Sequence, residues 1–231
     1  MTAYQKRFAI VGNNNERIAD IFIQKGFLLN EVHPDFVVSY GGDGTLLRSE
    51  ALYPSVPKLF IKNTKIGKLA QKKENFEIIE KFIAGEYAIK KVKKIEALIN
   101  NTEKIIGATE VTLHNGAPQT AVRYTVKIDD EQIHHELIGD GVIVCNSIGS
   151  TGYYRSITDS YFEVGIGLAF NNSTEQSDHI VLNNNRHIFI TVIRGPAVIF
   201  ADNAGKLYSL KEGDAIEFCE SNKVFNIIEV R

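Results

Sequence analysis

With 231 residues, 44% of them hydrophobic and 23% charged, the chain has the apolar content for one large packed domain or two small ones, which excludes a disordered polymer. Lys and Arg number 26 against 28 Asp and Glu, and the formal net charge of -2 gives no electrostatic reason for a nucleic-acid or membrane partner, so a small-molecule ligand is expected. Cys145 and Cys219 stand far apart and in no metal-ligand spacing, which argues against a disulfide framework or a zinc ribbon.

Residues 7–11 read as a strand and Gly12-Asn-Asn-Asn15 as its turn; Ile18, Ile21 and Phe22 recur at helical spacing, and Gly26 supplies a stop. Residues 35–40 make a second strand, 46–52 a second helix and 58–61 a third strand. Phe76, Ile79, Phe82 and Ile83 fall on one face of a further helix that Gly85 ends. Alternation of short apolar runs with helical periodicity is the pattern of a parallel α/β sheet.

The pattern changes near residue 88. Residues 87–92, 95–100, 103–113, 120–128, 132–138 and 142–145 read as strands, with Asp129-Asp130 as a hairpin turn. Strand-like runs resume at 187–193, 198–201, 215–219 and 225–230, with polar connections at 175–178 and 183–185. We therefore expect an α/β domain over residues 1–88 and a β-rich, mainly antiparallel domain over 89–231, with ligand bound where such domains leave a cleft. No apolar run is long enough for a signal-peptide core or a bilayer span, so reduced thiols and a cytoplasmic location are expected.

Two segments carry chemistry. Ser-Tyr-Gly-Gly-Asp-Gly-Thr at residues 39–45 follows the apolar run Phe36-Val37-Val38; its glycines let backbone N–H groups approach a phosphate, with one carboxylate, Asp43, among them. The bland alternative is a tight strand-to-helix turn whose aspartate caps the helix. The second segment, residues 139–153, runs Gly-Asp-Gly, a strand, then Gly149-Ser-Thr-Gly-Tyr153. Its amide and hydroxyl groups suit an adenine edge, with Tyr153 packing on the ring face. The two segments are expected to converge on one crevice.

Together these motifs resemble the NAD kinase family, which pairs a Gly-Gly-Asp-Gly-Thr turn with a downstream Asp-Gly, strand, Gly-Ser-Thr-Ala-Tyr segment. The resemblance spans about residues 5–230 and implies a Rossmann-like parallel N-terminal domain followed by the β-rich one, with residues 222–231 returning to the first. It implies transfer of a phosphoryl group from ATP, or in some members polyphosphate, to the 2′-hydroxyl of the adenosine ribose of NAD, giving NADP with Mg²⁺ or another divalent cation in attendance. A homodimer or homotetramer is the assembly implied.

Carried over residue by residue, Asp43 takes the catalytic carboxylate position, Gly41, Gly42, Gly44 and Thr45 hold phosphate oxygens, and Arg48 matches the arginine that follows the turn. Asn63 matches an asparagine-threonine turn, here one residue short and with Lys65 where glycine is usual. Thr109 and Glu110 stand where the family has Asn-Glu facing a ribose diol; Asp140 matches the acidic residue at the nicotinamide end. Thr151, Gly152 and Tyr153 match adenine and ribose contacts, with Tyr154, Arg155 and Ser156 continuing the segment, and Asn203 belongs to an aspartate-centred hairpin near the nucleotide. Without the motif, Arg48 reads as an exposed helix arginine, Thr109-Glu110 as a strand pair and residues 201–203 as a plain turn.

Thr109 loses an amide donor, and the Gly-Gly-Pro turn usual after the tyrosine is missing. Those departures keep a non-catalytic NAD- or NADP-binding relative open, and lipid kinases and phosphofructokinase-like enzymes also carry glycine-aspartate-glycine turns. His134 and His135 are adjacent on a predicted strand and so face opposite ways, which argues against a shared metal or a catalytic dyad.

Overall fold

The computed structural model describes residues 5–63, 74–174, 179–202 and 205–231. The chain divides into two compact units, Met1–Val92 with Val224–Arg231 and Lys93–Lys223.

The first unit holds β1 (Arg7–Val11), α1 (Glu16–Gln24), β2 (Leu28–Leu29), β3 (Phe36–Gly41), α2 (Asp43–Leu52), β4 (Lys58–Lys62), α3 (Asn75–Ile83) and the start of β5 (Tyr87–Ile99). Its sheet runs β2, β1, β3, β4 and then the end of the chain's last strand, all parallel, the last step pairing Ile227 with Lys58 and Ile228 with Leu59. Phe36, Val37 and Val38 are buried, as a strand covered on both faces requires. Phe8, Phe22, Phe36 and Phe82 form an aromatic cluster at the centre, ring centroids 4.6 to 6.0 Å apart. One expectation fails in α3: Phe76 is 70% exposed, and Ile78 joins Ile79 and Phe82 on the buried face. Phe76 sits in the first turn of α3, which starts at Asn75, and the buried stripe begins only at Ile78.

A charged pair lies inside this unit. Lys58 on β4 is 0% exposed and Glu50 on α2 2%. The ammonium binds the Glu50 carboxylate and the Tyr53 carbonyl at 2.5 Å, while the other Glu50 oxygen accepts the Ser55 N–H at 2.9 Å. Two buried charges are tolerated because each is paired and further hydrogen-bonded.

The second unit continues β5 and adds β6 (Glu103–Gly107), β7 (Glu110–Asn115), β8 (Val122–Ile128), β9 (Glu131–Gly139), β10 (Gly141–Cys145), α4 (Tyr153–Thr158), β11 (Ile166–Asn171), β12 (His179–Leu182), β13 (Ile188–Arg194), β14 (Ala197–Ala201), β15 (Tyr208–Leu210) and most of β16 (Ala215–Val230). One antiparallel sheet has the order β12-β11-β10-β7-β14-β15, and in the other β16, β13, β8 and β9 lie side by side. Tyr124, Leu113, Val142, Leu168, Ile190 and Phe218 are among the buried side chains of its core. The β8–β9 hairpin turns at Asp129-Asp130, with Asp129 at φ 49, as its sequence requires. His134 and His135 are ordinary residues of β9: the first packs edge-on against Phe170 and the second is exposed.

Strand boundaries differ from the sequence reading in three places. Residues 87–99 and 215–230 each make one long strand rather than two. Residues 103–113 make two strands rather than one, broken at Ala108-Thr109. The elements β2, α4, β11, β12 and β15 were not expected.

Candidate functional site

In the first unit the glycine turn sits at the carboxyl end of β3, where open parallel sheets present ligand sites. Gly42 is extended (φ -105, ψ -172) and caps α2, so Asp43, Gly44 and Thr45 form the first helical turn and the helix starts earlier than the expected residue 46. Thr45 N–H donates to Gly42 O at 2.9 Å, while first-turn N–H groups of a helix otherwise point outward as anion donors. The turn is fixed from below: Ser39 donates to Ser49 at 2.6 Å, and Ser49 donates to Thr45 O at 2.8 Å.

A cavity of about 230 Å³ opens here, bounded by Gly12, Asn13, Tyr40, Gly41, Gly42, Thr45, Arg48 and Asn63. Gly12 lies at φ 146 with Tyr40 O only 2.0 Å from where a Cβ would stand, so no other residue fits that wall. Asn63 is tied in through its N–H to Gly41 O at 2.9 Å. Asp43 is half-buried; Gly44 and Arg48 are exposed. Lys65 and the rest of the turn after Asn63 lie outside the described residues, as does Asn203.

In the second unit, Thr109 is 4% exposed and Glu110 half-buried at the bend between β6 and β7. The bend exists because Asp202, at φ 45 after β14, accepts Ala108 N–H at 2.6 Å, Thr109 N–H at 2.8 Å, the Thr109 hydroxyl at 2.8 Å and Glu110 N–H at 3.2 Å. Asn146 braces the other side: its amide donates to Ala108 O at 2.9 Å, and its Oδ1 accepts Ile148 N–H and Gly149 N–H at 3.1 Å each. Gly149 packs so closely that a Cβ would meet Thr109 O at 2.5 Å, which seats the Gly-Ser-Thr turn on the bend. A Cβ placed at Gly152 would lie 4.0 Å from Glu110 Oε2, so Glu110 faces that turn.

Burial, and then the Asp202 charge, pushes the Glu110 carboxyl from its ordinary 4.5 up to about 7. The folded state therefore favours protonated Glu110: this contribution is complete below about pH 4.5 and is lost as pH rises through about 7. Glu110→Gln should remove the loss. Urea melts should show the variant gaining about 3 kcal/mol on wild type between pH 4.5 and 8, and a flat difference would contradict the burial of this carboxyl.

Asp140 follows β9 and is held by Asn115 Nδ2 at 3.0 Å and Asn172 Nδ2 at 3.2 Å. Tyr153 accepts a hydrogen bond from Asn171 Nδ2 at 3.0 Å, and burial together with Asp140 raises its hydroxyl above the usual value. Asp140 and Tyr153 share a cavity of about 600 Å³ with His114, Phe200 and Leu207. Thr151 is half-buried and donates to Ile148 O at 3.0 Å; Ser156 is exposed and donates to Tyr153 O at 2.6 Å. Arg155 lies 5.6 Å over the Tyr161 ring. Tyr154 is 0% exposed and packs against Phe162 and His179.

Asn115, Asn146 and Asn171 are not singled out by the sequence, and Asp202 is legible there only as the centre of a hairpin near the nucleotide or of a plain turn, not as the acceptor that closes the bend. An aspartate or asparagine next to a strand end is a signal too common to single these out.

The family model described as ATP-NAD kinase C-terminal domain matches residues 108–230. An NAD kinase of Clostridium kluyveri is 36% identical over 129 residues, 53% of this chain and 45% of that protein. An NAD kinase of Methanothermobacter thermautotrophicus is 32% identical over 132 residues, 55% of this chain and 46% of that protein. The matched stretch thus spans about half the length of these curated relatives. Among solved structures, an NAD kinase from Archaeoglobus fulgidus in complex with ATP aligns with TM-score 0.78 and 21% identity, covering 97% of this chain and 93% of that one. Yeast NADH kinase complexed with NADH aligns with TM-score 0.83 and 16% identity, covering 100% and 85%. At those identities the likeness establishes the two-part fold: a parallel α/β sheet followed by a β-rich, mainly antiparallel half. The family model begins at the Asp202-bound bend and ends on β16, more than half of the chain, and on that match the chain belongs to the NAD kinase family.

Proposed function

We propose that this chain transfers a phosphoryl group from ATP or polyphosphate to the 2′-hydroxyl of the adenosine ribose of NAD, making NADP. The observation that carries the reading is the placement of Asp43 in the first turn of α2, one carboxylate among outward N–H groups and glycines. The named activity of the relatives supports it. The lipid- and sugar-kinase readings of the glycine turn fall with the family assignment.

In this proposal Gly41, Gly42, Gly44 and Thr45 hold phosphate oxygens, with Arg48 and Asn63 at the cavity edge. Asp43 accepts a hydrogen bond from the ribose hydroxyl, aligns it and takes its proton; because phosphoryl transfer is loose, alignment carries much of the effect. Glu110 accepts hydroxyl donors of a ribose, Thr109 completes the bend, and Thr151, Gly152 and Tyr153 frame the base. Asp140 faces the nicotinamide end, Arg155 and Ser156 border the segment, Asn203 contributes a polar group to the nucleotide, and Tyr154 is left to packing.

No group of three or more metal-binding side chains gathers among the described residues. A Mg²⁺ ion brought with the donor would find in the glycine turn the Asp43 carboxylate as an oxygen ligand. When bound it would neutralise charge on the transferring phosphate.

We take residues 1–88 as the phosphate-binding domain and 89–231 as the dinucleotide domain, with 222–231 returning to the first, and a cytoplasmic homodimer or homotetramer as the working state. Among the described residues no helix is long and apolar enough to cross a membrane.

The test is an assay of the purified chain with NAD, Mg²⁺ and either ATP or polyphosphate, read as NADP in a coupled dehydrogenase reaction. NADP from either donor is expected. Nucleotide binding without turnover from both donors would instead identify a non-catalytic relative.

A further inference from the structure

The break between β6 and β7 leaves three consecutive N–H groups, of Ala108, Thr109 and Glu110, turned toward Asp202 instead of a neighbouring strand. Ala108 and Thr109 are buried, so water does not serve these donors, and an unpaired buried N–H is expensive. The Asp202 carboxylate accepts all three and the Thr109 hydroxyl as well, while Asp202 N–H returns a bond to Glu110 O at 3.1 Å. A carboxylate has room for about four donors, so Asp202 has little acceptor capacity left for a ligand. Its influence must pass through the bend.

Glu110 is the residue that leaves the bend toward the Gly-Ser-Thr-Gly turn, and among the described residues no side-chain donor is hydrogen-bonded to its carboxylate. We propose that Asp202 is a positioning residue: by closing the bend at residues 108–110 it aims the Glu110 carboxylate at a ligand's hydroxyl pair. The inference rests on the dinucleotide reading of the same site.

Among the described residues, three titratable groups face Glu110. Asp202 comes from the turn after β14, the Cys145 thiol from the paired position on β10 and the Tyr153 hydroxyl from α4. Burial and the nearby carboxylate hold the Cys145 thiol well above its ordinary value, and Tyr153 is raised as well, so neither changes charge near neutrality. Glu110, held up to about 7, does. A hydroxyl pair donates only to an acceptor, which favours the ionised form, so capture of a ribose diol near pH 6.5 drives a proton into solution.

The experiment is calorimetry of the full chain with NAD and, separately, NADP at pH 6.5 in two buffers of different ionisation enthalpy. A carbon-13 NMR titration of the Glu110 carboxyl in the ligand-free protein accompanies it. Wild type should release at least about half a proton per nucleotide, the protonated fraction expected close to the midpoint. In Asp202→Asn the Glu110 midpoint should move toward acid, proton release should fall toward zero, and the dissociation constant should rise about tenfold as charge-assisted bonds to the bend are lost. An unchanged midpoint, or unchanged affinity and proton release, would overturn the proposal.

Should Asp202→Asn not fold, Thr109→Val removes one of the four bonds and leaves the charge. About fivefold weaker binding with proton release intact is expected, and undiminished affinity would count against positioning. If wild type binds neither dinucleotide, the dinucleotide reading and its diol fail, and the ligand-free titration still decides whether Asp202 governs Glu110.

Discussion

Replacement of Asp43 by asparagine is expected to lower NADP formation by about 10² to 10⁴-fold while NAD still binds. Asparagine matches the shape of the side chain at the first position of α2 and keeps one carbonyl acceptor, so the glycine turn and the Gly42 cap should persist. What disappears is the capacity to take a proton. A loss near the lower limit would mean that alignment of the hydroxyl carries most of the effect, and one near the upper limit that proton removal does. Steady-state NADP production beside calorimetric NAD binding separates turnover from affinity. Turnover equal to wild type would remove Asp43 from the reaction.

The largest stability effect is expected at the buried pair of Glu50 and Lys58. Glu50→Ala leaves the Lys58 ammonium, 0% exposed, with the Tyr53 carbonyl but no Glu50 carboxylate, and should cost about 3 to 5 kcal/mol in urea unfolding. Lys58→Met should be comparably harmful, because the Glu50 carboxylate then retains the Ser55 N–H but loses its ammonium. The double variant Glu50→Leu/Lys58→Met should recover most of the loss, since an apolar pair of similar volume removes both desolvation penalties. Single variants within about 1 kcal/mol of wild type would show that water reaches the pair. Because Glu50 and Lys58 tie the end of α2 to β4, the single variants should also loosen the helix whose first turn carries Asp43.

The α/β half and the β8–β9 hairpin of the β-rich half were legible because their signals are local. Phe36-Val37-Val38 followed by glycines announces a buried strand and its exit, and Asp129-Asp130 specifies a two-residue hairpin from its own backbone preferences. The same local signals misled where a partner distant in sequence decides. Residues 103–113 read as one strand despite Gly107 within them; a Cβ there would meet Glu110 O at 1.9 Å, and the break at Ala108-Thr109 is closed by Asp202, 94 residues beyond Ala108. The polar residues between the two apolar runs of β5 and of β16 do not interrupt the ladder, and each pair of expected strands is one.

At the candidate site the motifs gave the residues but not their supports. Thr109 and Glu110 could be named from the resemblance. That Asn146 and Asp202 hold them could not, because each depends on the tertiary meeting of separate strands. Glu50 and Lys58 were invisible for the opposite reason: charged residues are ordinarily read as solvated, and only packing shows them enclosed.

The parallel sheet of the first unit receives its final strand from Val224–Arg231, and Arg231 N–H donates to Glu86 O at 2.9 Å. A nascent chain that has left the ribosome only through residue 92 therefore exposes the free edge of β4, and so it remains while the intervening unit is being synthesised. The first unit is completed only after the second has been made, and that open edge is where cotranslational chaperone contact is most needed.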